Sequence, residues 1–368
     1  MRWFIYILAL LCTCCTYTKK VDNQSIAPLY TPKHATSFTI GIDSLERKVL
    51  TITNPYQSDK PFEQRVYLLE QGQQAPANSV AIEIPVSRIS TLSASHVAMI
   101  DAVGEANRIV GVSGIKYLTN SSVRTSAVEI GYDSALNFEA IKAIETDLIL
   151  LYGLYGEDSA TTTKLTQLGI PYIYIGDYIE PSPLAKAEWI VALSALCGCQ
   201  ARGEQYFTAL EERYNALKQN ALQYSSRPKV MLNTPYNDSW FMPPIRNYAV
   251  QLIDDAGGEY IFPQNNSAKS VPISLEQALL LANSADIWIN VGQVTSLKQL
   301  TDENPKFATV PAVVNRKVYN NTKRTTQTGG SDFWESGAVN ADIILSDMIK
   351  LLHTDAPTDS LYYYKRLE

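Results

Sequence analysis

The stretch QARGEQYFTALEERYNALKQNALQ, residues 200–223, carries the longest helical pattern in the chain. Tyr206, Leu210, Tyr214, Leu217 and Ala221 recur at spacings of three and four, which gathers them on one side of a helix. Glu211, Glu212 and Lys218 fall around that stripe. At 1.5 Å of rise per residue the helix runs about 35 Å, enough to cross from one globular lobe to another.

On both sides of this helix the chain follows the same grammar. Before it, residues 88–92 read as a strand, followed by Ser93, Ser95 and an apolar helical run through Val97, Met99, Ile100 and Val103. Residues 109–112 are strand-like, 134–141 open a helix, and 147–152 form a buried type of strand. A helix over 159–168 then stops at Gly169, and 170–175 is strand again. After the long helix come a strand (229–233), a helix (245–256) stopped by Gly257-Gly258, a helix from 274, strands at 286–290 and 318–320, and an amphipathic helix over 337–352. Ser274 with Gln277 three residues on makes a capping box. Strands alternating with helices of about ten residues predict mostly parallel sheets flanked by helices. The fold class is therefore α/β, with two units of mostly parallel sheet, one on each side of a long helix.

The ends of the chain read differently. Arg2 precedes an apolar run of nine, residues 3–11. A membrane-spanning helix needs about 20 such residues, so this segment (1–15) reads as a secretory signal. It closes in Leu11-Cys-Thr-Cys-Cys, which resembles a bacterial lipoprotein box. Cys14, with Leu11 three residues before it, is the expected lipid carrier, and Cys15 is the other candidate. Residues 16–36 are polar, without periodicity, and read as a tether. Residues 37–87 hold short strand-like runs punctuated by Asn54-Pro55 and Gln71-Gly72, a β-rich extension. The N-terminal lobe is then 88–199, the linking helix 200–223, the C-terminal lobe 224–352 and a tail 353–368.

Composition excludes several classes. A chain of 368 residues has room for about two lobes. A net charge of −6 leaves no footprint for nucleic acid or an anionic membrane. Beyond the leader only Cys197 and Cys199 remain, too few for a disulfide framework or a zinc site. Histidine is confined to His34, His96 and His353. There is no Gly-x-Ser-x-Gly elbow, no Gly-x-x-x-x-Gly-Lys and no His-Glu-x-x-His, so the chain does not read as an enzyme.

Four segments carry a resemblance. They are Arg88-Ile-Ser-Thr-Leu-Ser with Gly104 and Ile109-Val-Gly-Val-Ser; Ala140-Ile-Lys-Ala-Ile-Glu-Thr-Asp-Leu-Ile-Leu; Val250-Gln-Leu-Ile-Asp-Asp-Ala-Gly-Gly; and Ile273-Ser-Leu-Glu-Gln-Ala. In this order, over residues 88–352, they resemble the vitamin B12/ferric-siderophore class of periplasmic substrate-binding proteins of ABC importers. The resemblance implies two lobes joined by one long rigid helix with the ligand cleft between them, in a monomeric lipoprotein facing the periplasm, without cofactor. It would capture a small-molecule metal chelate and deliver it to a permease dimer with its ATPase in the inner membrane. A ferric siderophore is the first expectation; cobalamin or another corrinoid, or haem, suits the same scaffold. A lipoprotein receptor or sensor without a transport role is a further reading. The class pairs one glutamate per lobe with permease arginines, which by position are Glu139 and Glu276. Each falls in the first turn of its helix, where the dipole favours negative charge, and a carboxylate suits bidentate pairing with arginine.

Open α/β sheets bind ligands beyond the carboxyl ends of their strands. Loops there are rich in aromatics, and aromatic planes hold an amphipathic chelate at low entropy cost. The pocket candidates are Lys116, Tyr117, Tyr132, Tyr152 and Tyr155 from the first lobe, with Tyr236, Trp240, Met242, Arg324 and Trp334 from the second. His96 reads as a helix-terminal histidine. Cations are few (Lys116, Arg324 and Arg246), which favours a neutral or weakly charged ligand.

Overall fold

The computed structural model describes residues 25–56, 61–153, 159–354 and 358–368. They build three five-stranded sheets. The first belongs to the N-terminal extension and runs in chain order: Ala27–Tyr30, Phe38–Ile42, Lys48–Thr53, Glu63–Leu69 and Val80–Glu83. Its neighbours pair antiparallel except the last two, which are parallel. Phe38, Ile40, Leu50, Ile52, Val66 and Leu68 share one large core with the helix Pro183–Leu196. Phe38 meets Trp189 of that helix at 4.8 Å between ring centroids.

The other two sheets are the α/β units. In the first lobe the order is Tyr172–Tyr174, Leu148–Leu151, Ile89–Thr91, Ile109–Val112 and Val128–Glu129, every pair parallel. Leu148–Leu151 is buried throughout, as a central strand covered on both faces must be. In the second lobe the order is Glu259–Tyr260, Lys229–Leu232, Ile287–Ile289 and Val318–Asn320, all parallel. An antiparallel edge strand, Lys365–Arg366, completes it.

The helix Gln200–Ala221 joins the lobes. It buries Gly203, Phe207, Leu210, Tyr214 and Ala221, and packs along Pro183–Leu196 and Ala341–His353. A Cβ on Gly203 would stand 2.0 Å from Ser194 Oγ, so glycine is what lets the two helices approach. On the other side Tyr214 donates its hydroxyl to Asp255 at 2.7 Å, and Tyr206 donates to the Val339 carbonyl at 3.1 Å.

Two expectations about the ends need correction. The last part of the expected tether is docked rather than loose. Glu188, fully buried on the helix Pro183–Leu196, accepts from the Tyr30 hydroxyl and from the backbone N–H groups of Lys33, His34 and Ala35 at 2.7–2.8 Å. A buried carboxylate must be satisfied, and this segment supplies the donors. The expected C-terminal tail likewise closes the second lobe. Leu361, Tyr363, Tyr364 and Leu367 are buried, and Asp347 accepts from the N–H groups of Tyr362, Tyr363 and Tyr364. The leader cysteines Cys14 and Cys15, and Tyr155, lie outside the described residues.

Candidate functional site

A cleft of about 740 Å³ opens between the lobes. Its first-lobe wall includes Ala94, at the start of the helix that follows strand Ile89–Thr91, and the turn after strand Tyr172–Tyr174, which supplies Asp177, Tyr178 and Glu180. Its second-lobe wall includes Asn233, Asn290 and Asn321, each the residue that immediately follows a parallel strand. Asn233 and Asn290 adopt left-handed backbone, φ 66° and 58°, a conformation asparagine tolerates better than most residues. Both sheets thus direct the carboxyl ends of their strands into one cleft.

Aromatic faces flank these amides. Tyr117, Tyr178 and Trp334 line the cleft and remain 41%, 38% and 55% exposed. Among the described residues Trp334 is the only exposed tryptophan, since Trp189, Trp240 and Trp288 are fully buried. The hydroxyl oxygens of Thr322 and Ser331, both in the lining, are buried without a hydrogen-bond partner among the described residues.

The charged floor of the cleft is a closed network. Asp177 is buried and receives the Lys186 ammonium at 2.6 Å and His96 Nε2 at 3.3 Å. Burial alone would raise its pKa. Lys186 and His96 together outweigh that and hold the carboxyl well below the ordinary range. His96 Nδ1 meets the Thr91 hydroxyl at 2.8 Å, so the histidine, buried behind the cleft, serves to position Asp177. Glu180 is pushed upward by burial, partly offset by donors from Trp189, Thr36 and Ser37.

One edge of the cleft is latched. Glu335, buried on the second lobe, accepts from the backbone N–H groups of Thr119 and Asn120 on the first, both at 2.6 Å. The Thr119 hydroxyl donates to Asp332 at 3.0 Å, and the Thr328 hydroxyl to the Lys116 carbonyl. Burial raises the Glu335 carboxyl, and the two N–H donors counter part of that rise.

The expected pocket residues divide. Tyr117 and Trp334 line the cleft, and Tyr152 sits behind it, edge-on to Tyr178 at 6.0 Å. Tyr132 is exposed beside Gly114, and Tyr236 is 72% exposed; neither lines the cleft. Lys116 and Arg324 fall in a neighbouring groove, and Arg246 is exposed outside both. Trp240 and Met242 must be withdrawn from the pocket: both are fully buried, with Trp240 packed on Trp288 and Phe307 and its indole N–H donated to the Leu232 carbonyl. They are two apart on strand Ser239–Met242 and so share its inner face, while Phe241 points out. Glu139 and Glu276 are exposed in the first turns of helices Phe138–Ala143 and Leu275–Ala282. Neither forms an ion pair among the described residues.

Sequence reasoning passed over Asp177, Lys186 and the asparagines. The signal for the asparagines was there: Leu232-Asn, Ile289-Asn and Tyr319-Asn-Asn each end a strand in the same way.

Residues 89–325 match the family described as periplasmic binding protein. The chain belongs to the periplasmic binding protein family. It is a solute-binding protein of the ABC-transporter type, not an enzyme. Among its relatives is an uncharacterized lipoprotein of Methanocaldococcus jannaschii, 26% identical over 336 residues, which cover 83% of this chain and 78% of that one. Among solved structures, the apo periplasmic heme-binding protein RhuT from Roseiflexus sp. RS-1 has a TM-score of 0.57 at 18% identity, covering 73% of this chain and 98% of that chain. The periplasmic vitamin B12 binding protein BtuF of Vibrio cholerae has a TM-score of 0.54 at 16% identity, covering 73% and 97%. These periplasmic binding proteins share this chain's two-lobe α/β fold. Binding proteins of this family take up small molecules and deliver them to ABC permeases.

Proposed function

We propose that the chain is a lipid-anchored capture protein that holds a metal chelate, first of all a ferric siderophore, in the interlobe cleft and hands it to an ABC permease. The observation that carries this reading is the lining: three partly exposed aromatics flanking a row of strand-end amides, with two buried hydroxyls lacking partners among the described residues. An amphipathic chelate offers flat apolar faces to the rings and polar atoms to the amides, and ligation of Thr322 and Ser331 by such atoms satisfies both hydroxyls. The only charged groups in the lining, Asp177, Glu180 and Lys186, are engaged with protein partners, which suits low net charge on the part of the ligand held in this cleft. Anchoring at Cys14 is supported by the leader and by the lipoprotein relative.

Equilibrium dialysis of the protein against a ferric hydroxamate siderophore, cobalamin and haemin tests capture. Saturable binding of one of them near 1:1 is expected and names the chelate; binding of none refutes it. Docking is tested separately. Glu139→Lys with Glu276→Lys is expected to abolish uptake while affinity stays within about twofold, and normal uptake by that variant removes the docking assignment.

A further inference from the structure

A second groove, of about 840 Å³, runs beside the cleft and shares Thr325 with it. Its walls come from both lobes: residues 116–124 on one side and 323–332 on the other. Four cations face it (Lys116, Arg124, Lys323 and Arg324) with Asp332 the one carboxylate in its lining. In a chain of net charge −6 that is a local reversal of sign.

The cations are held in place rather than neutralised as a group. Asp332 pairs with Arg324 at 2.5 Å through one oxygen and accepts from the Thr119 hydroxyl through the other. Arg124 rests on the Leu118 carbonyl at 2.9 Å, and the Lys116 ammonium lies 4.9 Å from the Tyr117 ring centroid. Neither Lys116 nor Arg124 meets a carboxylate among the described residues. Lys323 donates to the carbonyls of Asp359 and Leu361. A carbonyl contact and a ring contact hold Arg124 and Lys116 in position without cancelling their charge, so the groove keeps a positive field between surfaces of both lobes. Such a field favours oxyanions, and the arginine forks offer them paired donors.

We propose that this groove is an anion site for a compact organic polyanion, one presenting two or more carboxylate or phosphate groups, which bridges the lobes beside the latch. The polyanion is either an arm of the ligand in the cleft, reached past Thr325, or a separate solute. Only the first of these rests on the capture reading; the charge of the groove stands without it. Because the cations come from both lobes, occupancy favours the closed arrangement.

The test is calorimetric titration of the full chain in detergent at low ionic strength with tricarballylate and with inorganic phosphate. Neither probe is a metal chelate, so the result is independent of what the cleft holds. Saturable binding is expected, tighter for the tricarboxylate and weakened steeply by salt. Lys116→Gln with Arg124→Gln should weaken it at least tenfold. A charge-matched pair elsewhere, Lys142→Gln with Lys164→Gln, should change it less than twofold. No saturable binding of either probe overturns the proposal, as does equal weakening in both pairs or none in the first. A ferric chelate with carboxylate arms that competes with tricarballylate identifies the polyanion as part of the cleft ligand. Additive binding of tricarballylate and a neutral hydroxamate chelate identifies a separate solute. Loss of chelate binding with tricarballylate retained refutes the cleft reading alone.

Discussion

Gly330→Ala is the smallest change that should pry the lobes apart. A Cβ at Gly330 would stand 1.8 Å from the Tyr117 carbonyl oxygen and 2.5 Å from its carbon, both backbone atoms of the opposite lobe. Ordinary contact begins at 3.4 Å, so the two segments must part by about 1.6 Å. The Glu335 bonds to Thr119 and Asn120, now 2.6 Å, would then exceed hydrogen-bonding distance. Bonds to a charged group contribute about 1.5–3 kcal/mol each, so losing two costs about 3–6 kcal/mol. Local yielding of the loop lowers this toward the roughly 1–3 kcal/mol of ordinary overpacking. We expect a loss of about 3 kcal/mol by denaturant unfolding, with a larger radius of gyration in solution scattering. Gly329→Ala is the control. Its Cβ meets nothing within 4 Å, but its φ of +89° strains any side chain. It should cost about 1–2 kcal/mol and leave the scattering unchanged. A Gly330→Ala protein that unfolds within about 0.5 kcal/mol of the original, with identical scattering, refutes the direct backbone contact between lobes.

Two further substitutions test buried carboxylates. Glu188→Ala removes the acceptor for four donors of residues 30–35, and should cost about 3 kcal/mol or more and expose that segment to hydrogen exchange and proteolysis. Unchanged protection of Lys33 to Ala35 would count against the staple. Asp177→Asn strands the Lys186 ammonium, and breaking such a buried pair costs about 3–5 kcal/mol at pH 7. The Asp177 carboxyl is held below its unfolded value, so its stabilisation is complete above about pH 4 and lost as pH falls further. The gap between wild type and variant should therefore narrow below about pH 4, and a constant gap down to pH 2.5 would contradict the network.

The fold was legible because its signals are periodic. The stripe from Tyr206 to Ala221 and the apolar strands between helices each repeat within a short window. What was missed depends on partners far along the chain. Glu188 looks like any helical glutamate until residues 30–35 are placed against it. The strand Lys365–Arg366 is too short to show alternation. At the site, Tyr117 and Trp334 were visible as aromatics in loops after strands. Trp240 and Met242 had the same look, and only the period of two on their strand marks them as core. Lys116 and Arg324 were read as sparse pocket cations because nothing in the linear sequence brings the segment 116–124 against Lys323 and Arg324.

The central claim, that a chelate enters the cleft between Tyr117 and Trp334, is tested most directly by tryptophan fluorescence during titration. Trp334 is the one exposed indole among the described residues, so a bound metal chelate should quench it saturably, with a midpoint matching the dialysis constant. In Trp334→Phe the quenching should fall to what energy transfer from the buried Trp240 and Trp288 sustains, while dialysis still detects binding. Binding by dialysis that leaves Trp334 emission unaltered, or quenching that is undiminished in Trp334→Phe, would place the ligand elsewhere and contradict the account.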